Sequence, residues 1–257
     1  MAITRVDCNI CPGSQDQGLH ASYVAFNPRR AAGSMVVGWA GAGRSGLGGQ
    51  VACKLALEQF TEGVLEYFDE RDEVRALAVG DDIPSDGGSI AVLETSFGRA
   101  NRTVYEFGHK LAAGGRMSAW MLGFVVEGST VSAAKVGPGN VFLHRAGAIF
   151  PFFVENESDE LAAARAPTNC IGTNSLVSVE LASVDIEAND KLVLVGAELE
   201  PSQQENLRQL LCETPSTDEN AAQFLSRRLF DPADMQRPTL VSCVVGPETI
   251  YLDETVS

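Results

Sequence analysis

Three sets of residues in this 257-residue chain have spacings on which chemistry is often built. Gly41-x-Gly43-x-x-Gly46 stands between a predicted strand and a predicted helix. In that setting glycines let a pyrophosphate approach a helix N-terminus, and Glu62 or Glu66 lies near the distance of a ribose-binding acid. Cys8-x-x-Cys11 has the spacing of half a zinc site or of a redox pair. Asp82-x-x-x-Asp86-Gly87 echoes a calcium loop. Each lacks a part. A dinucleotide domain needs repeated strand–helix–strand units, which the middle of the chain does not supply; the glycines then read as a turn needed for close packing. The cysteine pair has no second pair and falls between a strand and a turn, which leaves a metal or redox role open. In the acidic loop Pro84 takes the third ligand position and Leu93 the twelfth, so it reads as a solvated loop. His20, His109 and His144 have no ligand spacing and read as surface or packing residues. No Gly-x-Ser-x-Gly elbow is present, and nothing in the spacing brings the six cysteines and three histidines together.

The elements that would position these residues are legible from periodicity. Ser22–Phe26 and Ser34–Trp39 read as strands. A helix is predicted from about Gln50 to Phe68, with Leu57, Phe60, Val64 and Phe68 on one stripe. A second runs from Ser89 to Leu111, with Ile90, Leu93, Phe97, Ala100, Val104 and Leu111 in helical spacing. Met117–Val126, Thr130–Val136, Val141–His144 and Ala148–Phe153 are β-type runs separated by Glu127-Gly128, Gly137-Pro138-Gly139 and Arg145-Ala146-Gly147. They predict an antiparallel meander. An acidic stretch, Glu155–Ala166, precedes strands at Leu176–Leu181 and Lys191–Val195. Ser202-x-x-Glu205 and Ser216-x-x-Glu219 predict capping boxes. Thr239–Val245 and Thr249–Leu252 predict a terminal hairpin. The order of elements is that of an α+β protein, and a single domain over 1–257 is expected.

Composition bounds the partners. The formal net charge of −15 repels nucleic acid and anionic lipid, and Arg227-Arg228 reads as a solvated helix end. No apolar run approaches the ~20 residues of a membrane span. The first residues lack the pattern of a signal peptide, so a cytoplasmic location is expected. The scattered cysteines suit reduced thiols.

In order along the chain, several stretches resemble the PPM-type (type 2C, metal-dependent) serine/threonine phosphatases. Ser14-Gln15-Asp16 sits where that family has Asn-Glu-Asp. Met35 to Gly43 sits where it has a strand ending Val-Val-Ala-Asp-Gly-x-Gly-Gly. Ala100-Asn101 resembles the family's second helix, and Gly115 to Ala119 its Gly-x-Gly-Thr-Thr strand entry. Val136 to Leu143 resembles its Val-Gly-Asp-Ser-Arg-x-Tyr-Leu hairpin. Asn189 to Leu199 resembles its Gly-Asp-x-Leu-Leu-Leu-x-Ser-Asp-Gly-Leu strand, and Arg237 to Val241 its closing Asp-Asn-x-Thr strand. The resemblance spans nearly the whole chain. It implies a four-layer α-β-β-α sandwich, two antiparallel sheets flanked by helices, with a site for two Mg or Mn ions at one edge.

The same alignment implies that the acids are missing. The bridging Asp falls on Trp39 and the Gly after it on Ala40. The hairpin Asp falls on Pro138, and the Asp of the later strand on Ala197. The closing Asp-Asn falls on Gln236-Arg237 or one residue away. The phosphate-binding Arg falls on Cys11 and the signature Glu on Gln15, so only Asp16 is retained. Hard cations need oxygen ligands. A one-residue slip would bring Glu198 to the Ala197 position but point it to the other face of the strand. The expectation is therefore a catalytically inactive relative, a pseudophosphatase without bound metal. It would act as a protein- or phosphoprotein-binding regulator or scaffold, with Arg44 and Arg237 as candidate phosphate or partner contacts. An active phosphatase with an atypical metal site, or a structural subunit of a larger assembly, are the alternatives. The sequence leaves the partner and the oligomeric state open.

Overall fold

The computed structural model describes residues 2–10, 21–28, 34–42, 46–77, 88–111, 117–154, 169–213, 220–230, 240–246 and 252–256. Eleven strands and four helices are assigned among them. Strands β1 (Ala2–Ile10), β2 (Ala21–Phe26) and β3 (Ser34–Ala42) precede helices α1 (Leu47–Leu77) and α2 (Gly88–Lys110). Strands β4 (Ala119–Glu127), β5 (Thr130–Val136), β6 (Asn140–Arg145), β7 (Ala148–Pro151), β8 (Glu180–Asp185) and β9 (Lys191–Val195) follow. Helices α3 (Pro201–Cys212) and α4 (Ala221–Leu229) come next, and β10 (Leu240–Gly246) and β11 (Leu252–Val256) end the order.

The strands form two sheets, β2-β3-β4-β5-β8 and β11-β1-β10-β9-β6-β7. All pairings are antiparallel except β1 with β11. Three bodies of apolar side chains glue four layers together. Phe60, Val64 and Phe68 of α1 and Leu93, Phe97 and Val104 of α2 pack on the outer face of the five-stranded sheet. Met35, Val37, Leu122, Phe124, Leu192 and Leu194 fill the space between the sheets. Leu207, Leu211, Leu225 and Leu229 of α3 and α4 cover the outer face of the other sheet. Strand β3 is buried along its whole length, because it is covered on both faces. Its even-numbered side chains meet α1 and its odd-numbered ones meet the second sheet, as the two-residue period of a strand requires.

Several expectations need correction. Residues 117–153 form two hairpins in different sheets and not one meander, so Gly137-Pro138-Gly139 carries the chain from one sheet to the other. The last two strands do not pair with each other, because β1 lies between them. The strand predicted at Leu176–Leu181 begins at Glu180. Leu176 is exposed, while Val177 and Val179 pack beside the α1/α2 core without a ladder partner. This segment is tied down instead by Asn101 of α2, which accepts from the Gly172 N–H at 2.8 Å and donates to the carbonyls of Asn174 and Ser175. Helix α1 begins three residues before Gln50 and continues nine beyond Phe68. In α2, Leu111 lies just past the helix end and is exposed. Helix α3 starts two residues ahead of the Ser202 box, with Gln203 accepting from the Glu200 N–H at 3.0 Å. Helix α4 is capped by Asn220, whose Oδ1 accepts from the Gln223 N–H at 2.9 Å. Ser216–Glu219, the acidic stretch 155–166 and the loop carrying Asp82 and Asp86 lie outside the described residues.

Candidate functional site

Trp39 points inward from β3. Its row across the five-stranded sheet reads Tyr23, Trp39, Leu122, Lys135, Glu180, and these side chains stand on the face turned to the second sheet. The next row toward the sheet's end contains Ala21, Gly41 and Trp120. The indole of Trp39 is almost wholly buried, at 3% exposure. It lies over Gly41, where a Cβ would sit 2.5 Å from Cζ2, and over Gly196 just beyond β9, where a Cβ would sit 2.6 Å from Cε2 and Cζ2. Both glycines are thus required by the ring itself. Gly41 belongs to the strand and contacts Trp39, which is the close-packing role the sequence suggested.

The crossing loop closes the same edge. A Cβ on Gly139 would lie 2.8 Å from the Val195 carbonyl oxygen and 3.6 Å from the Ala197 nitrogen, and one on Gly137 would collide with Trp120. Trp39, Pro138 and Ala197, distant in sequence, are therefore gathered at one end of the two-sheet interface. Ala40 is not: its methyl group faces the α1 side. Glu198 is exposed. Strand β10 begins with Leu240 opposite Val195. Asp16, Arg44, Arg237, Gln15 and Cys11 lie outside the described residues, and of the cysteine pair only the backbone of Cys8, on β1, is described.

Two features were not singled out from the sequence. The first is the Trp39 Nε1–H, which is buried and has no hydrogen-bond partner among the described residues. The second is Lys135, a buried lysine whose Nζ lies 3.6 Å from Glu180 and 5.3 Å from the centre of the Phe153 ring. Parity carried the signal for it: Val131 and Ala133 face the inter-sheet core, so residue 135 must as well. Phe153 is held in place by Asn140, which donates to its carbonyl at 2.7 Å and accepts from its N–H at 3.2 Å.

A dinuclear centre of hard cations requires several carboxylate oxygens. Trp39, Ala40, Pro138 and Ala197 supply none, and Lys135 adds a positive charge to the same inter-sheet space. These residues do not fit a pair of divalent ions. Among the described residues no group of three or more His, Cys, Asp and Glu side chains is arranged to hold a metal.

Comparison with solved structures identifies the architecture. A serine/threonine phosphatase from S. agalactiae superposes with a TM-score of 0.63 at 16% identity, over 93% of this chain and 98% of its own. The catalytic domain of the phosphatase PstP in complex with two manganese ions gives 0.57 at 16% identity, over 89% and 98%. PppA, described as a key regulatory component of the type VI secretion system (T6SS) in Pseudomonas aeruginosa, gives 0.57 at 12% identity, over 88% and 97%. The fold is that of the PPM-type phosphatases. No protein-family profile and no curated protein matches the chain. Within this PPM fold, an open groove of about 620 Å³ lies apart from Trp39, between α2 and residues 175–179, and includes Gln59, Glu94, Arg99 and Arg102 in its lining. Arg99 is occupied by Glu62 at 3.0 Å and Glu66 at 2.6 Å. Arg228 pairs with Glu213 at 2.7 Å and stacks on Phe224, as a solvated helix end should. No described helix is long and apolar enough to cross a membrane.

Proposed function

We propose that this chain is a catalytically inactive PPM-fold protein that works by binding a protein or phosphoprotein as a regulator or scaffold. The observation that carries the reading is the Trp39 indole, wedged against Gly41 and Gly196 where the alignment with the phosphatases has its bridging acid. Hydrolysis of a phosphate monoester is among the slowest uncatalysed reactions, needing accelerations up to ~10²¹-fold. In the metal-dependent enzymes the ions polarise the phosphate and generate the attacking hydroxide. Indole, methyl and pyrrolidine groups do neither. Retention of the full four-layer frame with an apolar edge is what a binding role needs, because a surface for a partner depends on the frame and not on the ions. The regulatory description of PppA lends this reading support by analogy of fold. The strongly acidic chain favours a protein partner over nucleic acid or membrane.

The test is calorimetric titration with Mn²⁺ together with turnover of a phosphopeptide. The expected result is no two-site binding and no turnover. Because both tryptophans of the chain, Trp39 and Trp120, stand at this edge, intrinsic fluorescence reports on it directly and is expected to be unchanged by millimolar Mn²⁺. Binding of two ions accompanied by phosphate release would overturn the proposal in favour of an active phosphatase with a rebuilt site.

A further inference from the structure

Where α3 covers the outer face of the second sheet, a nucleophile sits beside an acceptor and two cations. Cys212 ends helix α3 and is exposed. Its Sγ lies 3.6 Å from Nε2 of His144 on β6. His144 is itself buried, at 8% exposure, and stands opposite Lys191 of β9. The Lys191 ammonium is held at the end of α3 by the Leu211 carbonyl, to which it donates at 2.6 Å. Lys191 and Arg208 both lie close enough to interact electrostatically with Cys212. Arg208 is fixed one turn back by Glu205 and by the Gly147 carbonyl at 3.1 Å.

We propose that Cys212 is a thiol–disulfide exchange site, at which a low-molecular-weight disulfide leaves one half of itself on Sγ while His144 handles the proton. The thiolate is the attacking form, and reactive cysteines are found in partly exposed, electropositive surroundings. Burial, with Lys191 and Arg208 nearby, holds the His144 imidazole below its ordinary pKa, against the opposing pull of Asp190. At neutral pH the ring is thus uncharged, and in the tautomer that carries its proton on Nδ1 the Nε2 atom accepts from the thiol. In the reaction Sγ attacks one sulfur of the disulfide. The new Sγ–S bond forms as the old S–S bond breaks, and the second sulfur departs as a thiolate. The proton that Sγ gives to Nε2 ends on that departing thiolate. The protein thiol is oxidised and the small disulfide is reduced, with no other reagent. Cys53 and Cys170 offer the contrast: both are buried, and burial pushes the Cys53 thiol up to about 12.

The experiment incubates the folded chain with oxidised glutathione at neutral pH and follows the mixed disulfide on the Cys212 peptide by mass spectrometry. The urea-unfolded chain serves as the reference. Folded Cys212 is expected to react about tenfold faster than the unfolded reference, because only the folded chain places a proton acceptor beside Sγ. His144→Phe and Lys191→Met are each expected to bring that rate down toward the reference, with His144→Phe also changing its pH profile between 6 and 8. Equal rates for the folded and unfolded chain would overturn the assignment without recourse to any variant. So would a fast rate that neither substitution alters.

Discussion

Asp7 on β1 and Ala221 at the start of α4 are joined by a hydrogen bond of 2.9 Å, the Ala221 N–H donating to Oδ2 across 214 positions of sequence. Asp7 has no exposed surface. Its carboxylate sits where a helix presents unsatisfied N–H groups and the positive end of its dipole, next to the Asn220 cap. The first strand thereby fixes a helix of the outer layer.

Asp7→Ala is expected to destabilise the fold by about 1–3 kcal/mol, the cost of leaving a buried donor without its acceptor. Asp7→Asn keeps an oxygen but loses the charge and should fall between the two. Urea denaturation measures both. An Asp7→Ala chain as stable as the parent would show that this contact contributes nothing.

The Trp39–Gly196 contact predicts a coupled pair. Gly196→Ala drives a methyl group into the indole and should cost about 1–3 kcal/mol, the usual range for overpacking. Trp39→Ala should cost about 3–5 kcal/mol through lost burial and the cavity left behind. In the double variant the clash is absent, so the combined loss should be smaller than the sum of the single losses. Strict additivity in a double-mutant cycle would mean that the ring does not rest on Gly196.

Cys53 predicts an alkaline limb. Burial raises its thiol from 9.0 to about 12, so the folded state holds a proton that the unfolded state releases. The stabilisation is fully present below pH 9 and is lost as pH rises toward 12, with a slope approaching ~1.4 kcal/mol per pH unit. Urea midpoints taken at pH 8 and pH 10 should diverge less in Cys53→Ala than in the parent; an unchanged difference would rule the thiol out as the cause.

His144 predicts an acidic limb of the opposite sense. Its folded-state pKa lies below the ordinary 6.5, so the unfolded chain binds the extra proton. The stabilisation is present above pH 6.5 and declines as pH falls through the lower folded value. Thermal melts from pH 7.5 down to pH 5 should fall more steeply in the parent than in His144→Phe, and parallel curves would contradict it.

What could be read from the chain follows from the range of each signal. The stripe Leu57, Phe60, Val64, Phe68 names a helix and its buried face, since period and burial are both local properties. The β-runs between 117 and 153 are equally local, and their hairpin separators are correct for β4–β5 and β6–β7. Gly137-Pro138-Gly139 looked like a third separator because a tight turn carries the same residues whether the next strand pairs or leaves for another sheet. Leu176 to Leu181 alternates like a strand, yet its first part packs on helices and finds no ladder. At the candidate site, the parity of β3 points Trp39 inward, but its meeting with Gly196 depends on how two sheets stack. The approach of Cys212 to His144 joins residues 68 positions apart, and no spacing rule describes it.

Strand β1 lies between β10 and β11, so both of its hydrogen-bonding edges await the far end of the polypeptide. During synthesis the early strand must remain unzipped while more than two hundred further residues emerge, and long-range pairings of this kind are slow to close and exposed to misassembly in the meantime. The five-stranded sheet, whose members are all translated before residue 186, can assemble with α1 and α2 first. The second sheet is then a late zipper, and its closure on β1 should be the step at which a nascent chain becomes resistant to protease.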